Sequence, residues 1–137
     1  MGISLLLITH DDIGSSLLNC VAKMMVTLPI SCKCLAVTEQ MDIVQGYSAA
    51  RKLCSEFNSN NDLLIITDIF GSTPSNIATK LLASSIQQKK IILTGVNLPM
   101  LVKIMNYAHL NLNELAEKAS TGASKSIFTV DKSIDCP

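Results

Sequence analysis

Four short apolar runs, each followed by a stretch with helical spacing, constrain this chain more than any other feature. Ile3 to Thr9 is almost continuously aliphatic, and Asp62 to Asp68 repeats the pattern through Leu63, Leu64, Ile65 and Ile66. Runs of that length without polar alternation fit strands covered on both faces, as in a parallel sheet. Ile30 to Ala36 alternates instead and reads as a shorter strand suited to an edge, while Lys89 to Gly95 is the fourth run.

Between these runs the apolar residues recur every three to four positions. A first helix is predicted from Ser15 through Leu17, Leu18, Val21, Met24, Met25 and Leu28, with Pro29 as its stop. Further helices are predicted over Met41 to Phe57, Ser75 to about Ile86, a segment begun by Pro99, and Leu112 to about Ala119. Thr121 and Gly122 then lead to Ser126-Ile127-Phe128-Thr129-Val130, a short strand expected at a sheet edge or against another subunit. This alternation predicts an α/β fold, doubly wound, with a four-stranded parallel sheet in the order 2-1-3-4, helices on both faces and a short C-terminal edge strand. Residues 1–137 are expected to form a single domain.

Composition narrows the function classes. Eleven basic residues balance eleven acidic ones, and there are five aromatic residues and no Trp. Neither a field that would hold nucleic acid nor a base-stacking surface is expected. The N-terminal apolar run has no preceding Lys or Arg and no small-residue cleavage site, and no apolar stretch reaches the length of a membrane span, so a cytoplasmic protein is expected. Five cysteines (Cys20, Cys32, Cys34, Cys54 and Cys136) cannot all pair within one chain and read as reduced, mostly buried small hydrophobes. Cys32 and Cys34 fall on one face of a strand, but without a second pair nearby they do not make a metal motif. The six methionines read as core filler and His109 as a surface or capping residue.

In open α/β sheets ligands bind beyond the carboxyl ends of the strands, where the strand order reverses. For the order 2-1-3-4 that crevice lies between the first and third strands. His10 ends the first apolar run and Asp68 ends the third, so two residues far apart in sequence converge on it. A carboxylate beside an imidazole fixes the ring tautomer and leaves the other nitrogen with a lone pair able to attack phosphorus. After Asp68 comes Ile69-Phe70-Gly71-Ser72-Thr73-Pro74, a loop opening a helix, where backbone N–H groups, two hydroxyls and the helix dipole suit an anion. It is neither a P-loop nor a dinucleotide fingerprint. Asn97 and Pro99, after the fourth strand, are expected to line the same site.

Three elements in order, Leu7-Ile8-Thr9-His10, Asp68-Ile69-Phe70-Gly71-Ser72-Thr73-Pro74-Ser75-Asn76 and Gly95-Val96-Asn97-Leu98-Pro99-Met100-Leu101, resemble the mannose-type enzyme IIA proteins of the bacterial sugar phosphotransferase system over nearly the whole chain. The resemblance implies that His10 carries a phosphoryl group, that Asp68 orients its ring, and that Gly71, Ser72 and Thr73 form the phosphate-binding loop. It implies no cofactor and no metal. The implied partners are an HPr-type phosphocarrier as donor and a IIB-type protein as acceptor, with a homodimer as the assembly. The chain departs from the family in one place: members commonly carry Gly directly after the active histidine, where this chain has Asp11 and Asp12. Acidic neighbours there are expected to repel phosphate or alter partner choice. The absence of an Ala-Pro linker and a fused IIB domain suggests a freestanding IIA. The rival expectation is a receiver-like signalling domain phosphorylated on Asp68, with Asp11 and Asp12 as its acids. The Gly-Ser-Thr-Pro loop does not fit that pattern.

Overall fold

The computed structural model describes residues 2–86 and 89–133, and Cys136 lies outside them. Its elements run β1 (Ile3–His10), α1 (Ile13–Met24), β2 (Ser31–Val37), α2 (Ile43–Ser55), β3 (Asp62–Thr67), α3 (Thr73–Leu82), β4 (Lys90–Thr94), α4 (Leu98–Asn106) and α5 (Leu112–Lys125). All strand pairs are parallel and the sheet order is β2-β1-β3-β4, as the alternation predicts.

Alternation along the two central strands divides the apolar interior between the faces of the sheet. Leu5, Leu7, Leu64 and Ile66 pack with Val21, Leu101, Ile104 and Leu115 from α1, α4 and α5. Leu6, Ile8, Leu63 and Ile65 pack on the other face with Ala50, Cys54, Ile77 and Leu81 from α2 and α3. Every one of these central-strand side chains is fully buried, which is why β1 and β3 lack polar alternation. Truncating one of them to Ala would cost about 2–5 kcal/mol.

Two elements differ from expectation at the C-terminal end. The last helix continues to Lys125, past its expected end at about Ala119 and through the Thr121-Gly122 pair. A Cβ on Gly122 would lie 2.5 Å from Cγ of Lys103, so this glycine permits close approach of α5 to α4 instead of ending the helix. Ile127 to Val130 forms no strand within its own subunit, and Ile127, Phe128 and Val130 are exposed. The expected edge strand is therefore not part of this chain's own sheet, because α5 uses the residues that would have turned the chain back to β4.

Cys32 and Cys34 do share a face and pack against the α1/α4/α5 core. Burial, helped by the neighbouring Cys34, pushes the Cys32 thiol up to about 12, and burial pushes Cys54 up to about 11. Both remain protonated thiols at neutral pH, consistent with small hydrophobes.

Candidate functional site

Parallel pairing carries the ends of the strands to one edge. His10 is the last residue of β1 and pairs with Val37 of β2, while Ile8 pairs with Thr67, the residue before Asp68. The side chains of His10 and Asp68 meet there: Nδ1 of His10 lies 2.8 Å from Oδ2 of Asp68, and the backbone N–H of His10 donates to the same oxygen at 2.9 Å. Oδ1 accepts from the backbone N–H of Ile69 at 3.0 Å. Burial alone would raise the Asp68 carboxyl. The hydrogen bonds from the His10 backbone and ring and from its own following peptide outweigh that and hold it below the usual carboxylate range.

An ionised carboxylate is an acceptor only, so Nδ1 carries the proton in the neutral ring and Nε2 carries the lone pair. The His10 side chain is 45% exposed against 12% for Asp68, so the ring stays open to a reactant while its orienting partner is shielded.

The concavity at His10 measures about 230 Å³ and is lined by Asp11, Val37, Thr38, Glu39, Met41 and Thr73 besides His10 itself. Thr73 is the first residue of α3, and Ser72 precedes it as N-cap. The Ser72 hydroxyl donates to the Ile69 carbonyl at 2.8 Å instead of capping the helix, so the first turn of α3 has no side-chain cap. Gly71 has φ +86°, a left-handed conformation that lets the chain reverse between Asp68 and α3. An uncapped helix N-terminus facing an imidazole suits an anionic group, although Pro74 contributes no N–H.

Asn97 and Pro99 reach the same sheet edge but do not line this concavity. Asn97 caps α4 by accepting from the Met100 N–H at 2.9 Å, and its amide donates to the Ala123 carbonyl at 3.3 Å. It borders a separate hollow with Thr94, Gly95 and Ile127, and Pro99 borders another with Lys103 and Lys118. The wall supplied by Val37 to Met41 was missed from the sequence. The parallel order signals it, since β2 lies beside β1 and must end at the same edge.

A doubly wound parallel sheet with an imidazole held by a carboxylate at the carboxyl edge of its central strands defines the class of small α/β domain to which this chain belongs. Residues 4–120 match the family model EIIA-man, described as "PTS system fructose IIA component". The chain therefore belongs to the EIIA-man family and is a IIA-type phosphotransferase component of the sugar phosphotransferase system. It is similar to the structure of a phosphoenolpyruvate-dependent sugar phosphotransferase system permease from Klebsiella pneumoniae, with 28% identity, 98% of this chain and 96% of that chain covered, and a TM-score of 0.77. The same fold occurs in the mannose/sorbose-specific IIA subunit from Enterococcus faecalis, with 20% identity, 96% of each chain covered and a TM-score of 0.83. It occurs also in an EIIA component from Streptococcus agalactiae, with 21% identity, 96% and 98% coverage and a TM-score of 0.79. No helix among the described residues is long and apolar enough to cross a membrane.

Proposed function

We propose that this chain accepts a phosphoryl group on Nε2 of His10 from an HPr-type phosphohistidine carrier and passes it to a IIB-type acceptor, or uses it for regulation, in the cytoplasm. The observation that carries this reading is the 2.8 Å contact between His10 Nδ1 and Asp68, which fixes the tautomer beside an uncapped helix N-terminus. The Nε2 lone pair attacks phosphorus in line. As the Nε2–P bond forms, the donor's N–P bond breaks and its electron pair returns to the donor ring. The Nδ1 proton stays in place, and Asp68 offsets the positive charge that grows on the ring. Gly71, Ser72 and Thr73 shape the turn that receives the phosphoryl oxygens, with the Thr73 hydroxyl and the first N–H groups of α3 as donors. Transfer between two histidines needs no metal and no nucleotide.

Asp68 is poorly suited to be the phosphoacceptor of a receiver, since both its oxygens already accept hydrogen bonds. Incubation with phosphoenolpyruvate and the general phosphotransferase proteins, without ATP, should label His10 as an acid-labile, alkali-stable phosphoramidate. Equal labelling of His10→Ala would overturn the proposal, and acetyl phosphate labelling of Asp68 with Mg²⁺ would support the receiver instead.

The proposed assembly is a homodimer. Ile127, Phe128 and Val130 are 78%, 65% and 59% exposed, and among the described residues β4 is an edge strand of its sheet. Pairing this segment with a second copy would cover both. Light scattering should give twice the chain mass at micromolar concentration. A monomer would refute it.

A further inference from the structure

Asp11 is the one non-glycine residue with positive φ among the described residues, at +45°, and it directly follows His10. This left-handed conformation favours glycine, and Asp is one of the few other residues that adopt it readily. The Asp11 N–H is tied to the Val37 carbonyl at 3.0 Å, so the turn is anchored to β2. Asp11 lines the concavity at His10 together with Glu39, and among the described residues no lysine or arginine lines it. The donors available to a phosphoryl group on this wall, the Thr73 hydroxyl and the α3 backbone, are neutral. Glycine would make this turn at less steric cost. The carboxylate is the part that the backbone geometry does not require.

We propose that Asp11 tunes the energetics of the His10 site: its negative charge raises the transfer potential of the phosphoryl group on His10, so the equilibrium favours release to the next carrier. The inference rests on phosphorylation at His10. Phosphorylation places up to two negative charges, on the phosphoryl oxygens, at a wall that carries the carboxylates of Asp11 and Glu39. That repulsion is relieved when the N–P bond breaks and phosphorus passes to a partner's nitrogen, whose electron pair forms the new bond while the old pair returns to His10. Asp11 touches no bond that changes. It acts through the field at the mouth of the site.

The test is the equilibrium constant for phosphoryl exchange between phospho-HPr and the full chain, measured by intact mass for wild type, Asp11→Asn and Asp11→Gly. Asn keeps the shape and the tolerance for a left-handed backbone but removes the charge. Asp11→Asn and Asp11→Gly should both shift the equilibrium toward the phosphorylated chain by roughly three- to tenfold at low ionic strength. That is the size expected of a unit charge and a doubly charged group on the walls of one small, largely aqueous concavity. The gain should shrink at about 1 M salt, where the screening length falls to about 3 Å. An unchanged equilibrium in Asp11→Asn, or a shift in Asp11→Gly alone, would overturn the inference, the latter by assigning the effect to backbone conformation. Wild-type protein that takes no phosphate on His10 would instead overturn the proposed function itself.

Discussion

The molecule has two histidines on the walls of two hollows, and the proposed chemistry belongs to the smaller one. His109 borders a concavity of about 490 Å³ with Tyr107, Leu110, Glu114, Glu117, Lys118 and Thr121, roughly twice the volume of the one at His10. Its ring lies tilted at 6.3 Å from that of Tyr107, and it is exposed on the α4–α5 connection. Nothing in that contact selects a tautomer. His10 meets a shielded carboxylate that accepts from its ring and its backbone together. Fixed orientation, and not the size of the hollow, is what converts an imidazole into a nucleophile.

The largest expected break in this contrast comes from the proposed nucleophile, His10. His10→Gln should reduce phosphohistidine labelling to background, as seen by acid-sensitive radiolabel or intact mass, while the circular dichroism spectrum stays native. Retained labelling would move the site elsewhere, with His109 the first residue to examine.

Asp68→Asn should leave the nucleophile in place but slow transfer from phospho-HPr at least tenfold, equivalent to about 1.4 kcal/mol of transition-state stabilisation. The amide keeps the shape, loses the charge that offsets the developing imidazolium and can favour the wrong tautomer. Quenched-flow kinetics would measure it. The same substitution sharpens the comparison through pH. Because the folded carboxyl lies below its ordinary value, its stabilising contribution is present above an unfolded value near about 3.9 and is lost as pH falls through the lower folded value. In denaturant titrations the stability difference between wild type and Asp68→Asn should therefore narrow as the pH drops below about 4.

Gly71→Ala tests the turn. A Cβ would meet nothing within 4 Å, so any loss reflects φ +86° alone. The expected cost is about 1–2 kcal/mol of stability, with a smaller decrease in transfer rate than in Asp68→Asn. A protein as stable as wild type would show that the turn relaxes without penalty. The smallest effect is expected at the other histidine: His109→Gln should change the labelling rate by less than about twofold, since its loss removes only a surface ring contact.

How far the site was legible depended on whether a residue's role followed from periodicity. His10 and Asp68 each end a nearly unbroken apolar run, so the strand ends and the β1/β3 crevice could be located from the pattern. Asn97 and Pro99 sit at the same edge, yet their separation from the His10 concavity depends on how α4 packs against α5. The Asn97 side chain is used on the Met100 N–H and the Ala123 carbonyl. Gly122 was misleading for a related reason. In sequence a glycine after a helical stretch looks like a stop, whereas here it makes room for Lys103 on the neighbouring helix.

Local pattern alone determined the strand and helix alternation, the two-faced burial of β1 and β3, and the pairing of His10 with Asp68, because side-chain period and the parallel crossover rule act over short stretches of chain. Tertiary structure decided which nitrogen of His10 keeps its lone pair, that Val37 to Met41 form the opposite wall, that Asp11 takes a left-handed conformation, and that residues 127–130 have no place in their own sheet. Each of these depends on ångström-scale distances between segments remote in sequence, which no local periodicity encodes.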